Sequence, residues 1–108
     1  MSTIEDRIKK EITENKIVLY MKGTPQAPQC GFSAMTAQCL DQLGAKYHAV
    51  NILEDVEIRQ GIKKISNWPT IPQLYINGKF IGGCDIVKEM FQSGELQNLL
   101  KEKGVISL

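Results

Sequence analysis

Long apolar runs are missing from this chain. No stretch approaches the ~18 consecutive apolar residues that a membrane-spanning helix needs. The opening segment, MSTIEDRIKKEITEN, lacks the apolar core of a secretion signal and is too acidic for an organelle transit peptide. Charge of one sign is missing as well. Thirteen Lys and Arg against twelve Asp and Glu leave a formal charge of +1, whereas a generic nucleic-acid or membrane-surface protein carries a stronger bias. Cysteine is scarce and odd in number, three in 108 residues, which excludes a small disulfide scaffold and points to reduced thiols in the cytoplasm. Histidine occurs once, at His48, without the Cys or His spacing of a zinc site, so it reads as an exposed strand residue. Repeats and low-complexity tracts are absent too.

What is present fits one packed unit. Hydrophobic residues make up 43% and charged residues 23%, with nine glycines and four prolines, a composition unlike disorder, collagen or coiled coil. Since domains commonly run about 100–150 residues, positions 1–108 are expected to form a single domain. Ser2 to Glu5 has the form of a capping box, and Ile4, Ile8 and Ile12 follow as one helical stripe. Ile17 to Met21 reads as a buried strand. Gly23, Pro25 and Pro28 make a loop. After Cys30 a helical period places Met35, Cys39, Leu40 and Leu43 on one face, with Gly44 as the stop. Tyr47 to Leu53 reads as a strand, and Ile58, Ile62 and Ile65 mark a helix. Asn77-Gly78 between two apolar runs is a strong hairpin signal, ended by Gly82-Gly83. Ile86 onward is helical and continues past Gly94. The predicted fold is α/β: a four-stranded mixed sheet flanked by helices, containing one right-handed strand-helix-strand crossover.

Cys30 is the leading chemical candidate. It lies between a Pro-containing loop and a helix, so its sulfur faces the free N–H groups of a first helical turn. Those donors, the helix dipole and Lys22 nearby all favour a thiolate. A Cys-x-x-Cys pair there reads as a dithiol redox motif, but this run is Cys30-Gly31-Phe32-Ser33. Serine cannot close a disulfide, so Cys30 needs a partner elsewhere: Cys84, a second chain or a small thiol. Cys39 shares the apolar helix face and reads as core. Cys84 precedes Asp85 at another helix start; it either fills a tight turn or helps an anion site. In Trp68-Pro69-Thr70-Ile71-Pro72 the prolines enforce extended backbone at Trp68 and Ile71. Pro72 is expected at a strand's first residue, with Ile71-Pro72 a candidate cis bond. The segment is either a rigid turn or an edge that pairs with a peptide-like ligand. Lys22, Arg59 and Lys63 are cations able to meet a carboxylate, or ordinary surface charges.

Taken together, Lys22-Gly23-Thr24, Pro28-x-Cys30-Gly31-Phe32-Ser33, Trp68-Pro69-Thr70-Ile71-Pro72-Gln73-Leu74, Asn77-Gly78 and Gly82-Gly83-Cys84-Asp85-Ile86-Val87 resemble the monothiol, CGFS-type glutaredoxins, in particular the short bacterial members. The resemblance implies a thioredoxin-like fold with Pro72 as its cis-proline. It implies glutathione bound by Lys22 and Arg59 at the glycyl carboxylate, by the Thr70-Ile71 backbone beside Pro72, and by Gly83, Cys84 and Asp85 at the γ-glutamyl end, next to Cys30, Gly31 and Phe32. It also implies a [2Fe–2S] cluster with Cys30 as metal ligand, bridged in a homodimer by two glutathione molecules, for iron-sulfur storage, transfer and assembly. BolA-like proteins and iron-sulfur recipient proteins are the implied partners. The alternative is a glutathione-dependent thiol oxidoreductase with Cys30 as sole catalytic nucleophile, an activity that is weak in CGFS members. A third arrangement is a redox sensor closing Cys30 onto Cys84.

Overall fold

The structure is a computed structural model that describes residues 3–104. Its elements run α1 (Ile4–Glu14), β1 (Ile17–Met21), α2 (Gly31–Gln42), β2 (His48–Asn51), a 3-10 turn (Ile52–Glu54), α3 (Val56–Ser66), β3 (Gln73–Ile76), β4 (Lys79–Gly82), α4 (Cys84–Ser93) and α5 (Glu95–Glu102). The strands form one sheet in the order β2-β1-β3-β4. β1 and β2 are parallel, as the crossover through α2 requires, while β1–β3 and β3–β4 are antiparallel. This is the mixed sheet expected from the element order.

Strand periodicity divides the interior in two. Successive side chains point to opposite faces, so Ile17, Leu19 and Met21 join Leu74 and Ile76 under α2, α4 and α5, where Leu40, Val87, Leu96 and Leu100 pack. Val18, Tyr20 and Tyr75 face the other way, onto Ile8, Ile12, Ile58 and Ile62 of α1 and α3. Burial on both faces explains why β1 is apolar without alternation. The second layer carries one polar anchor. Tyr20 Oη donates to Glu11 Oε1 at 2.6 Å, and the other carboxylate oxygen of Glu11 lies 3.2 Å from His48 Nε2. His48 is thus exposed on its strand, as expected, but also ties α1 to the sheet edge.

Several sequence expectations need correction. The capping box of α1 falls one residue later than predicted: Thr3 Oγ1 accepts the Asp6 N–H at 3.1 Å and Asp6 Oδ2 accepts the Thr3 N–H at 3.3 Å. Ser2 lies outside the described residues. β2 is shorter than the predicted Tyr47–Leu53, because Asn51 Oδ1 accepts the Leu53 N–H at 3.1 Å and turns the chain into the 3-10 segment. Gly94, at φ +86°, splits the last helical region into α4 and α5. Pro72 precedes the first residue of β3 instead of occupying it; its peptide bond to Ile71 is cis, as anticipated. Met35 leaves the apolar face of α2 and is exposed, whereas Cys39 and Leu40 are buried as expected. The hairpin turn at Asn77-Gly78 forms with both residues at positive φ, +50° and +80°, the backbone that Asn-Gly favours.

Candidate functional site

β1 ends at Met21, and the next residues form a closed loop. The Lys22 carbonyl accepts the Gln29 N–H at 2.9 Å, and Thr24 and Ala27 exchange backbone bonds of 3.3 and 3.1 Å. Gly23 sits at φ +87°, where an added Cβ would lie 2.6 Å from the Ala27 carbonyl oxygen. The loop delivers Cys30 as the N-cap of α2, in extended backbone with no side-chain cap bond. The Cys30 thiol pKa is lowered. The Ser33 backbone N–H is the main cause, opposed by partial desolvation and aided by the Phe32 N–H, the Lys22 charge and the Ser33 hydroxyl. This is the anion-stabilising helix start anticipated from the sequence. Cys39 is the opposite case: it is 4% exposed and burial pushes its thiol up.

Ser33 is fully buried, and its hydroxyl oxygen accepts the Lys22 N–H at 3.0 Å. The position taken by a second thiol in dithiol motifs is therefore a structural tie to the end of β1.

The wall opposite is the segment before β3. Gln73, also fully buried, donates its Nε2 to the carbonyls of Trp68 (3.0 Å) and Thr70 (3.2 Å), and its Oε1 accepts the Tyr75 hydroxyl at 3.1 Å. One side chain thereby shapes the Trp68–Pro72 loop. Trp68 rests against Phe80 with ring centroids 5.9 Å apart. Gly83 caps α4 and faces the same loop.

These elements enclose a groove of about 200 Å³ lined by Phe32, Trp68, Thr70, Ile71, Pro72, Gly83, Cys84, Asp85 and Ile86. A second hollow, of about 300 Å³, adjoins it and is lined by Cys30, Gly31, Phe32, Met35, Cys84, Asp85 and Lys88. The predicted Cys30, Gly31, Phe32, Thr70, Ile71, Pro72, Gly83, Cys84 and Asp85 therefore come together. Cys30 and Cys84 share one hollow as free thiols. Lys22 lines neither groove, but its charge reaches the Cys30 sulfur. Arg59 is exposed in the first turn of α3 and also lines neither. Met35, Trp68, Ile86 and Lys88 line the grooves without having been singled out as site residues. Asn51 and Gln73 act behind the site. A glutamine inside the apolar run Gln73-Leu74-Tyr75-Ile76 is the one sequence signal that marks such a role.

Gly83 leaves room for a ligand. Its backbone, φ −94° and ψ −163°, suits any residue, so space alone is at stake. A Cβ there would lie 3.2 Å from Trp68 Nε1 and 3.3 Å from the Pro72 carbonyl oxygen. Gly83→Ala is expected to shift the indole by a few tenths of an ångström, fill part of the groove with its methyl and weaken ligand binding several-fold with little change in thermal stability. Calorimetric titration beside a melting curve checks this.

The lowered Cys30 pKa has a direct readout. Thiolate is the reactive form, so Cys30 is expected to alkylate at a pH below that of an ordinary thiol. Lys22→Ala removes one lowering charge and moves the rate–pH profile upward. A profile identical to that of free cysteine would contradict the geometry.

Fold and thiol together define a thioredoxin-like protein with one activated cysteine at the head of its second helix. The glutaredoxin family profile matches residues 17–81. The chain is 52% identical to glutaredoxin 4 of Escherichia coli K12 over 102 residues, 94% of this chain and 89% of that protein. It is 51% identical over 96 residues to "Probable monothiol glutaredoxin 2" of Rickettsia typhi, covering 89% of this chain and 86% of that one. A buckwheat glutaredoxin–glutathione complex superimposes with a TM-score of 0.85 at 28% identity, covering 96% and 93% of the two chains. The chain belongs to the glutaredoxin family, and its relatives place it among the monothiol members.

Proposed function

We propose that this chain, as one domain over residues 1–108, binds glutathione and carries a labile [2Fe–2S] cluster between two copies of itself, for storage and delivery to iron-sulfur recipient proteins. The observation that carries this reading is the lone activated Cys30 with Ser33 buried in place of a second thiol. Such a cluster is ordinarily held by four cysteine thiolates. One chain has three cysteines, of which Cys39 is buried with its thiol pushed up. Cys84 is assigned to the γ-glutamyl end of the glutathione site, so two copies supply two Cys30 thiolates, and two glutathione thiolates complete the set. Exchangeable ligands make the site labile, as delivery requires.

The groove supports glutathione as that ligand. The buckwheat relative is a glutathione complex, and the groove here offers the Thr70-Ile71 backbone before the cis bond to Pro72, the open side of Gly83 and the α4 N-terminus. In the proposed pose the γ-glutamyl carboxylate meets the N–H groups of that helix start and Asp85 meets the ammonium. Lys22 and Arg59 take the glycyl carboxylate as cations. BolA-like proteins are proposed as partners that replace one set of ligands. No helix among the described residues is long and apolar enough to cross a membrane, and the free thiols support a reducing, cytoplasmic setting.

The lowered Cys30 pKa also favours a second reading, removal of glutathione from mixed disulfides. The Cys30 thiolate attacks the glutathionyl sulfur, the S–S bond breaks and the protein thiolate leaves. A second glutathione thiolate then attacks the Cys30–glutathione disulfide, restoring the Cys30 thiolate and releasing oxidised glutathione. Anaerobic reconstitution with iron and sulfide, with and without glutathione, separates the two when visible absorption and solution mass are recorded together. The carrier reading expects a glutathione-dependent chromophore at twice the chain mass. A colourless monomer in both conditions overturns it and leaves thiol transfer as the function to assay.

A further inference from the structure

We infer that Asn51 is a positioning residue for glutathione recognition, acting through the backbone of Lys22 and Gly23. Asn51 ends β2, whose register pairs it with Met21 of β1. Its side-chain oxygen accepts two backbone N–H groups at once, from Gly23 at 2.9 Å and from Leu53 at 3.1 Å. The neighbouring peptide is held independently: the Lys22 N–H donates to Ser33 Oγ at 3.0 Å. Two side chains from separate elements, 28 and 11 residues away in sequence, thus converge on consecutive N–H groups just past the end of β1.

The site needs such a clamp at this point. Lys22 lies between a rigid central strand and a loop, and a lysine stem is long and rotamer-rich. Where its root is fixed, less freedom is lost when the ammonium meets a carboxylate. Gly23 alone does not fix the root, because glycine at φ +87° has the widest backbone freedom of any residue. Asn51 adds a constraint to that of the Lys22 carbonyl, which accepts the Gln29 N–H, and its own direction is set by the Leu53 N–H at the start of the 3-10 turn. Ser33 couples the same root to the helix that carries Cys30. The cation and the thiolate are therefore held to one another through two buried or half-buried polar side chains.

This inference rests on the proposed contact between Lys22 and the glycyl carboxylate, and a double-mutant cycle tests the two separately. Reduced glutathione is titrated by calorimetry into the full chain, into Lys22→Ala, into Asn51→Ala and into the double variant. Lys22→Ala is expected to weaken binding about five- to tenfold, and Asn51→Ala about three- to fivefold in the presence of Lys22. In the Lys22→Ala background, Asn51→Ala is expected to cost almost nothing further, because the group it positions is gone. A side chain that only supported the fold would cost the same factor in both backgrounds, and that result overturns the inference while leaving the Lys22 contact standing. If Lys22→Ala alone leaves the affinity unchanged, the Lys22 contact and this inference both fall. Should Asn51→Ala not fold, Asn51→Ser keeps a polar side chain too short to hold both N–H groups and runs through the same cycle, with the same non-additivity expected and the same additive result overturning the inference.

Discussion

Cys30→Ser is expected to abolish cluster loading completely while leaving the fold intact or slightly stabilised. Serine is among the preferred helix N-caps, and Cys30 occupies that position without a side-chain cap bond. An oxygen there accepts a first-turn N–H and contributes about 0.5–1 kcal/mol. The variant therefore tests the sulfur and not the helix. Cys39→Ser behaves in the opposite way. Its hydroxyl enters a site that is 4% exposed among Ala37, Leu40 and Val87, and an unpaired buried hydroxyl costs about 1–3 kcal/mol. That variant should melt earlier and, on the proposed carrier reading, still reconstitute a cluster. Reconstitution followed by visible absorption, with a melting curve for each protein, reads both effects. A full chromophore in Cys30→Ser would remove the basis of the carrier assignment.

Gln73→Glu should destabilise the protein by about 2–4 kcal/mol at neutral pH, a fall of roughly 10–20 °C in melting temperature for a chain of this size. The substitution preserves shape and keeps an acceptor for the Tyr75 hydroxyl. It replaces the amide that donates to the Trp68 and Thr70 carbonyls with an oxygen facing them. The sign of the pH dependence follows. Burial and two facing carbonyls disfavour the carboxylate, so the folded-state pKa of the new Glu lies above its unfolded value. The protonated acid still donates to one carbonyl, so stability is recovered as pH falls toward 5 and lost as pH rises. Ligand binding should track it, because the same carbonyls shape the groove wall. Melting curves at pH 5 and pH 7.5 decide the point. An unchanged melting temperature would mean that solvent readily replaces the amide.

Much of this molecule is legible in local chemistry. The Asn77-Gly78 turn, the buried strand Ile17 to Met21 and the stop at Gly44 each depend on a few consecutive residues whose backbone preferences agree. The Cys30 microenvironment is legible for the same reason, since the donors that lower its pKa sit within one helical turn. Met35 departs from the expected core face because periodicity places a residue on a helix face without saying where that face meets solvent; here Met35 lines the open hollow beside Cys30. β2 stops short of Leu53 although apolar Ile52 and Leu53 look like strand, because the Asn51 side chain competes for the backbone and ends the ladder.

The sequence by itself determined the α/β order and a thiol at a helix start with serine three residues on, because each is written in neighbouring residues; it marked Ile71-Pro72 as no more than a candidate cis bond, which the structure then shows. Only the tertiary structure decided that Asn51 and Ser33 hold the root of Lys22, that Gln73 shapes the groove wall, and that Cys84 joins Cys30 in one hollow. Those contacts form between elements, where direction and distance depend on sheet register and helix docking, quantities that no short window of residues contains.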